Sequence, residues 1–107
     1  MSFIPKTIEE LNIYSKLNPL KLIVIDFKAL WCGPCKNIKQ FINYLKEHYN
    51  NVDFYEIDIE DEDTETITNN FEIKKVPTFI YYKNGILCNS LIGTNKDTIE
   101  ELINEYL

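Results

Sequence analysis

The chain has few cysteines, a deficit of positive charge and no long apolar run. Its 107 residues include three cysteines, whereas a small secreted protein held together by disulfides carries a denser and usually even set. The net charge of -6 repels nucleic-acid phosphates and anionic lipid headgroups, so neither is an expected partner. These absences favour a globular protein whose thiols serve chemistry and are not a scaffold.

Two further absences concern membranes and export. The longest apolar run, residues 22–27, contains Asp26 and is far shorter than the roughly 18 residues that suggest a membrane span. The first 14 residues carry Lys6, Glu9 and Glu10 where a secretion signal has an apolar stretch. We therefore expect a soluble, cytoplasmic protein that does not bind membranes.

Helical and strand patterns alternate with little spacer between them, which predicts a single α/β domain over residues 1–107. We expect a central mixed sheet of four to five strands flanked by four helices. The predicted strands cover residues 21–27, 52–59, 78–82 and 86–92, and the predicted helices cover about 7–16, 32–49, 64–70 and 95–107. Thr7 and Glu10 form a capping box for the first helix, and Asn84-Gly85 favours a hairpin turn.

The motif Cys32-Gly33-Pro34-Cys35 directly follows the first predicted strand. Two thiols at positions i and i+3 on a strand-to-helix turn are close enough to form a disulfide and exposed enough to exchange it. Free N–H groups at a helix start favour a thiolate, so we expect Cys32 to be the nucleophile. Cys35 is expected to be more buried and to resolve the mixed disulfide.

The same two cysteines are also half of a zinc site. A closed zinc site needs four ligands, and the other candidates, Cys88 and His48, lie on separate predicted elements. Redox chemistry is therefore favoured, with no bound metal. Cys88 is expected to be an inert packing residue that shares a strand face with Ile86, Ser90 and Ile92. The alternative is that Cys88 is a third thiol used for glutathionylation or dimerisation. His48 is expected to be an ordinary helix-end residue.

Asp26 interrupts an otherwise apolar strand six residues before Cys32. Burial disfavours the ionised carboxylate, so the pKa of Asp26 is expected to rise. A carboxyl group that titrates near neutrality can accept the proton of Cys35 as that thiol attacks. The alternative is an aspartate at the strand end that reaches solvent or caps the following turn.

Residues 24–36, with the sequence VIDFKALWCGPCK, closely resemble the active-site segment of the thioredoxin family. The resemblance continues in order and spacing through residues 75–79, residues 83–85 and Gly93, and so covers essentially the whole chain. It implies the thioredoxin fold, with Pro77 as a cis-proline facing the cysteines and the backbone of Val76 pairing with an extended substrate strand. It also implies a flat apolar collar around Cys32, formed by Trp31, Gly33, Pro34, Ile92 and Gly93.

The resemblance implies a protein-disulfide reductase that acts on disulfide-containing client proteins. The Cys32–Cys35 pair would be the redox centre without a bound cofactor, recharged from NADPH by a thioredoxin reductase, and the protein would be a monomer. One alternative is a disulfide oxidase or isomerase of the same fold. Another is a thioredoxin-like binding module that holds a partner without turnover.

Two positions depart from the family pattern. Gln40 stands where many members have a helix-kinking proline, which predicts a straighter second helix. Glu56 stands where a lysine is often found, and a second carboxylate would raise the pKa of Asp26 further. Lys28 is a candidate substitute for that lysine, because it lies two residues beyond Asp26 on the same side of an extended strand. The alternative for Lys28 is a solvated lysine at the strand end.

The Lys28 hypothesis predicts that Lys28→Met shifts the pH profile of disulfide reduction, since a positive charge beside Asp26 favours its ionised form. The measurement is the initial rate of reduction of a protein disulfide across a pH series. A variant profile that superimposes on the parent profile would contradict it.

Overall fold

A mixed sheet lies at the centre of the structure, a computed structural model that describes residues 4–107. Within these residues the sheet has four strands, as expected, and the strand order is β2-β1-β3-β4. The central strand β1 runs parallel to β2 and antiparallel to β3, and β4 completes a hairpin with β3. The strands are β1 (Ile23–Lys28), β2 (Asp53–Asp58), β3 (Thr78–Lys83) and β4 (Ile86–Ile92).

Five α-helices pack around this sheet in the described part of the chain, where we predicted four. The additional helix arises because the predicted second helix is divided in two. The helices are α1 (Ile8–Leu17), α2 (Gly33–Asn37), α3 (Lys39–His48), α4 (Glu65–Asn70) and α5 (Lys96–Tyr106), and a short 3-10 turn, Glu62–Thr64, precedes α4.

The division between α2 and α3 falls at Ile38, where the backbone has φ -94° and ψ -3°. The Ile38 side chain is 2% exposed and belongs to the core, whereas the residues on either side of it are exposed. The straighter helix predicted from Gln40 is therefore wrong. The helix is interrupted without a proline at residue 40, and the interruption falls at Ile38, which is anchored in the core.

Side chains of β1 alternate between two apolar cores on opposite faces of the sheet, as expected of a strand covered on both sides. Val24 and Tyr81 belong to the core beneath α3 and α5, and Ile25 and Ile80 belong to the core beneath α1 and α4. Asp26 lies two residues from Val24, so its side chain is on the α3 face.

Two local predictions are confirmed at the ends of elements. The Thr7 hydroxyl accepts a hydrogen bond from the Glu10 N–H at 3.1 Å, and the Glu10 carboxylate accepts one from the Thr7 N–H at 3.2 Å, which completes the capping box. Asn84 and Gly85 adopt φ values of 53° and 74° in the hairpin turn. A positive φ at both residues is what a tight hairpin turn requires.

Cys88 lies in a β-bulge of β4, because Tyr81 pairs with Asn89 while Tyr82 pairs with Leu87. The extra residue interrupts the alternation of side chains, so the expectation that Cys88 shares a face with Ser90 and Ile92 is wrong. Cys88 packs, half-buried, against the core beneath α3 and α5, and burial raises the pKa of its thiol. This placement is consistent with the packing role.

Between residues 4 and 107, no helix combines the length and the apolar character that crossing a bilayer requires.

Thr7→Ala removes the capping oxygen of α1 and is expected to lower the free energy of unfolding by about 1 kcal/mol. The measurement is chemical denaturation, with Thr94→Ala, an exposed threonine outside the helices, as the control. Equal stabilities of the two variants would show that the capping box contributes nothing.

Candidate active site

A disulfide joins Cys32 and Cys35 at the start of α2, with their Cα atoms 5.3 Å apart. Cys32 is the N-cap of this helix, and its Sγ accepts a hydrogen bond from the Cys35 N–H at 3.1 Å. The Cys32 N–H in turn donates to the Ala29 carbonyl at 3.1 Å, which ties the turn to the end of β1. The expected disulfide is therefore formed where strand passes into helix.

The two cysteines differ in burial, but in the opposite sense to the prediction. Cys32 is 3% exposed and Cys35 is half-buried, so the expectation that Cys35 is more buried is wrong. As the N-cap residue, Cys32 is folded back onto the turn that follows β1. Cys35 instead faces an open cavity, and periodicity along α2 does not reveal that cavity.

The cavity has a volume of about 180 Å³ and connects the disulfide to the central strand. A buried water needs only about 10–15 Å³ of such space, so the cavity can hold water between the groups that line it. Asp26 and Cys35 both line it, so the buried aspartate and the second cysteine border one space that has room for water. The full lining is Asp26, Lys28, Ala29, Leu30, Cys35, Lys36, Lys39 and Glu56.

Asp26 is 7% exposed, and its Oδ1 is buried without a hydrogen-bond partner among the described residues. Burial, reinforced by the nearby charge of Glu56, raises the pKa of Asp26 to about 6, although Lys28, Lys46 and Lys39 oppose the shift. The predicted burial and raised pKa are confirmed. The alternative of a strand-end aspartate that reaches solvent is not what the structure contains.

Glu56 is paired with Asp26 in the register of β1 and β2. Its Oε1 lies 3.4 Å from Lys28 Nζ, and its Oε2 lies 2.8 Å from Lys46 Nζ. Burial alone would raise the pKa of Glu56, but the hydrogen bond and charge of Lys46, with the charges of Lys28 and Lys39, outweigh burial and lower it. Glu56 is therefore a carboxylate held by two lysines, and it raises the pKa of Asp26 as expected.

Lys39 and Lys46 were not among the predicted site residues. Lys39 follows Cys35 by four residues, a spacing that puts two side chains on one side of a continuous helix. The sequence could therefore have indicated that Lys39 lies near Cys35. Lys46 carries no such signal, because its contact with Glu56 depends on how α3 packs against β2.

Val76 and Pro77 are joined by a cis peptide bond, as the family resemblance implied. Pro77 is buried, and its carbonyl accepts a hydrogen bond from the Gly93 N–H at 3.0 Å. Ile92 pairs with Thr78 across the hairpin and is 62% exposed. These residues therefore form one connected edge, with an exposed apolar side chain beside the cis bond.

The second half of the predicted collar lies on the turn before α2. Trp31 is 67% exposed, and its Nε1–H donates to the Glu60 carboxylate at 3.1 Å. Gly33 and Pro34 are also exposed, and Leu30, which was not predicted, is 75% exposed. Because Phe27 of β1 pairs with Thr78 of β3, both halves of the collar lie at the same end of the sheet.

The zinc alternative has little support in residues 4–107, where no group of three or more potential protein ligands could hold a metal ion. His48 instead stacks on Tyr44 with ring centroids 5.4 Å apart and meets the edge of Tyr49 at 4.8 Å. These contacts suit an ordinary surface residue near the end of α3.

Comparison with known proteins gives a consistent result. The sequence model of the family Thioredoxin matches residues 6–105. The thioredoxins of Oryctolagus cuniculus and Homo sapiens are 46% and 45% identical to the chain over 87 residues, which is 81% of the chain and 81% of each relative. The structure of Fasciola hepatica thioredoxin superimposes with a TM-score of 0.84 at 29% identity, covering 95% of this chain and 96% of that one. Plasmodium falciparum thioredoxin gives a TM-score of 0.80 at 31% identity, covering 99% and 100%.

Asp26→Asn is expected to stabilise the protein above about pH 6, because the folded parent must there bury an ionised carboxylate. With a folded pKa of about 6 against 3.8, and about 1.4 kcal/mol per unit, the parent loses about 3 kcal/mol as pH rises through this window. Below the window the carboxyl is protonated in both states, and above it the carboxyl is ionised in both.

The measurement is the free energy of unfolding of both proteins at several pH values between about 4 and 8. The control is Asp63→Asn, which removes an equal charge from an exposed position. A difference between Asp26→Asn and the parent that does not change with pH would contradict the account.

Proposed function

The chain belongs to the thioredoxin family and is a thiol-disulfide oxidoreductase that reduces protein disulfides, and we propose that Cys32, Cys35 and Asp26 divide the chemistry. Cys32 is the nucleophile, Cys35 the resolving thiol and Asp26 the proton acceptor. The observation that carries this assignment is the shared cavity of Asp26 and Cys35, next to a disulfide whose other sulfur caps a helix. The family uses such a disulfide as its redox centre without a prosthetic group.

The first step starts from the reduced protein. The Cys32 thiolate attacks one sulfur of a client disulfide, so a bond forms between Cys32 Sγ and that sulfur while the client disulfide breaks. The electron pair leaves on the second client sulfur, which takes up a proton from water. The Cys35 N–H, which donates to Cys32 Sγ in the oxidised form, is placed to stabilise the attacking thiolate.

The second step regenerates the disulfide. The Asp26 carboxylate takes the proton of the Cys35 thiol through the water-accessible cavity, and the Cys35 thiolate attacks Cys32 Sγ. The Cys32–Cys35 bond forms as the bond from Cys32 to the client breaks, and the first client sulfur leaves with the electron pair. The client disulfide is thereby reduced by two electrons and the Cys32–Cys35 pair is oxidised.

Client binding is proposed to use the collar and the edge beside it. An extended client segment can pair with the backbone of Val76 next to Pro77, while Trp31, Pro34 and Ile92 offer apolar contact. Gly33 and Gly93 keep side chains out of the path of that segment. Because hydrogen bonding to the client main chain depends little on the client's side chains, many client sequences can be accepted.

The remaining proposals concern the cycle around this reaction. The oxidised pair must be reduced again, and we propose a thioredoxin reductase that draws on NADPH for this step. A catalytic dithiol works in a reducing pool, which supports the cytoplasm as its compartment. We also propose that residues 1–107 are one domain that acts as a monomer, because the two cores lie on opposite faces of one sheet.

The test is reduction of a model protein disulfide by the parent, Cys32→Ser and Cys35→Ser. The parent should turn over, Cys32→Ser should be inactive, and Cys35→Ser should accumulate a mixed disulfide through Cys32 that mass spectrometry detects. Cys88→Ser is the matched control and should retain parent activity. A mixed disulfide through Cys35 in the Cys32→Ser variant, with turnover retained, would reverse the assigned roles.

The same preparation separates the alternatives. A reduction potential of about -270 mV, the value typical of thioredoxin itself, supports a reductase, whereas about -180 to -120 mV favours an isomerase or oxidase. A binding module would be favoured by two observations together. The parent protein would show no turnover, and the Cys32→Ser variant would still bind its partner.

A further inference from the structure

We propose that Lys46, acting through Glu56, is a positioning residue that sets the pH range over which Asp26 accepts the proton of Cys35. This inference rests on the proposed role of Asp26 in disulfide reduction. Lys46 lies on α3, eleven residues beyond the second cysteine, and outside the motif and the collar. Its contact is with the Glu56 carboxylate, and the charge of Lys46 also acts directly on Asp26.

The backbone places the two carboxyl groups side by side. Asp26 and Glu56 are partners in the parallel register of β1 and β2, so their side chains project from the same face of the sheet. Both line the cavity that contains Cys35. Two carboxylates in such a position disfavour each other's ionisation, so the acidity of Asp26 depends on how the charge of Glu56 is balanced.

Two lysines balance that charge from different elements. Lys46 Nζ of α3 lies 2.8 Å from Glu56 Oε2, and Lys28 Nζ of β1 lies 3.4 Å from Glu56 Oε1. Each oxygen of the carboxylate is thus held by one ammonium group. The Lys46 contact is the shorter and has the geometry of a charge-assisted hydrogen bond. Lys46 therefore fixes the direction in which the Glu56 carboxylate points, as well as its charge.

The titratable and charged groups around Asp26 belong to four elements, whereas its partner on β3, Phe79, is uncharged. Lys28 belongs to β1, Glu56 to β2, Cys35 and Lys36 to α2, and Lys39 and Lys46 to α3. Lys36 and Lys39 are exposed, so solvent screens them more than the half-buried Lys28 and Lys46.

The four less exposed groups form a cluster with a simple charge balance. When Asp26 is ionised, the two carboxylates and the ammonium groups of Lys28 and Lys46 sum to zero. Without Lys46, the same state carries one uncompensated negative charge and Glu56 has a free oxygen. Ionisation of Asp26 then becomes less favourable, and a higher pH is needed before it accepts a proton from Cys35.

Lys46→Met tests this in the full-length protein through the pH profile of protein-disulfide reduction. At about pH 6 the rate should fall about twofold to fivefold, as expected for one partly screened charge. Well above that pH, where Asp26 is ionised in both proteins, the rates should converge. Lys46→Arg keeps the charge and should restore the parent profile. Lys6→Met removes one exposed lysine elsewhere and should leave the profile unchanged.

Two Glu56 variants establish the route of the effect. Glu56→Gln alone removes a negative charge beside Asp26 and should move the profile to lower pH, the opposite direction from Lys46→Met. In the Glu56→Gln background, Lys46→Met should have a smaller effect, because only the direct action of the Lys46 charge on Asp26 remains. Thermal unfolding of each variant shows whether a change in rate reflects loss of the folded protein.

Two outcomes would overturn the inference. One is a Lys46→Met profile that superimposes on the parent profile, and the other is a Lys46→Met shift of full size in the Glu56→Gln background. Asp26→Asn separates these from failure of the proposed mechanism. If Asp26→Asn abolishes the change of rate with pH while Lys46→Met leaves that change at the same pH as in the parent, the mechanism stands and the inference fails. If that change persists in Asp26→Asn, Asp26 is not the proton acceptor and both fail.

Discussion

The burial of an ionisable carboxyl group on the central strand is the constraint on which the rest of the site depends. Asp26 lies on the face of β1 that packs beneath α3, and it is 7% exposed. Burial of this kind disfavours the charged form and makes the folded protein less stable once the carboxyl is ionised. The same desolvation brings its pKa to about 6, where a carboxyl group can exchange protons under ordinary cellular conditions. Stability is thus lowered at the position of the proposed proton acceptor.

The fold brings the other parts of the site to that carboxyl through strand order and strand ends. Because β1 is central, it has β2 on one side and β3 on the other, and each neighbour supplies one component. Strand β2 supplies Glu56, whose charge is balanced by Lys28 of β1 and Lys46 of α3. The β3 side supplies the cis Val76–Pro77 edge, and the turn after β1 supplies the disulfide. The residues proposed for acid-base chemistry, thiol exchange and client binding therefore lie at one end of one sheet.

Features that depend on neighbouring residues were predictable from the sequence, and features that depend on packing between distant elements were not. The Thr7 cap, the Asn84-Gly85 turn, the disulfide spacing and the buried aspartate each follow from a short segment and its period. The relative burial of Cys32 and Cys35 depends on the cavity formed where α2 meets β1, so helical periodicity gave the wrong order. The bulge at Cys88 shifts the β4 register by one residue, and a pattern of alternating side chains contains no sign of it. The contact between Lys46 and Glu56 joins α3 to β2, a pairing that only the folded chain defines.

The most direct test of this account is the titration of the Asp26 carboxyl itself, followed by carbon-13 NMR in the oxidised protein. The account predicts that the carboxyl carbon of Asp26 titrates with a pKa of about 6. A value near the ordinary 3.8 would mean that Asp26 is fully ionised throughout the working pH range. Its burial would then have no part in moving the proton of Cys35, and the central claim would be wrong.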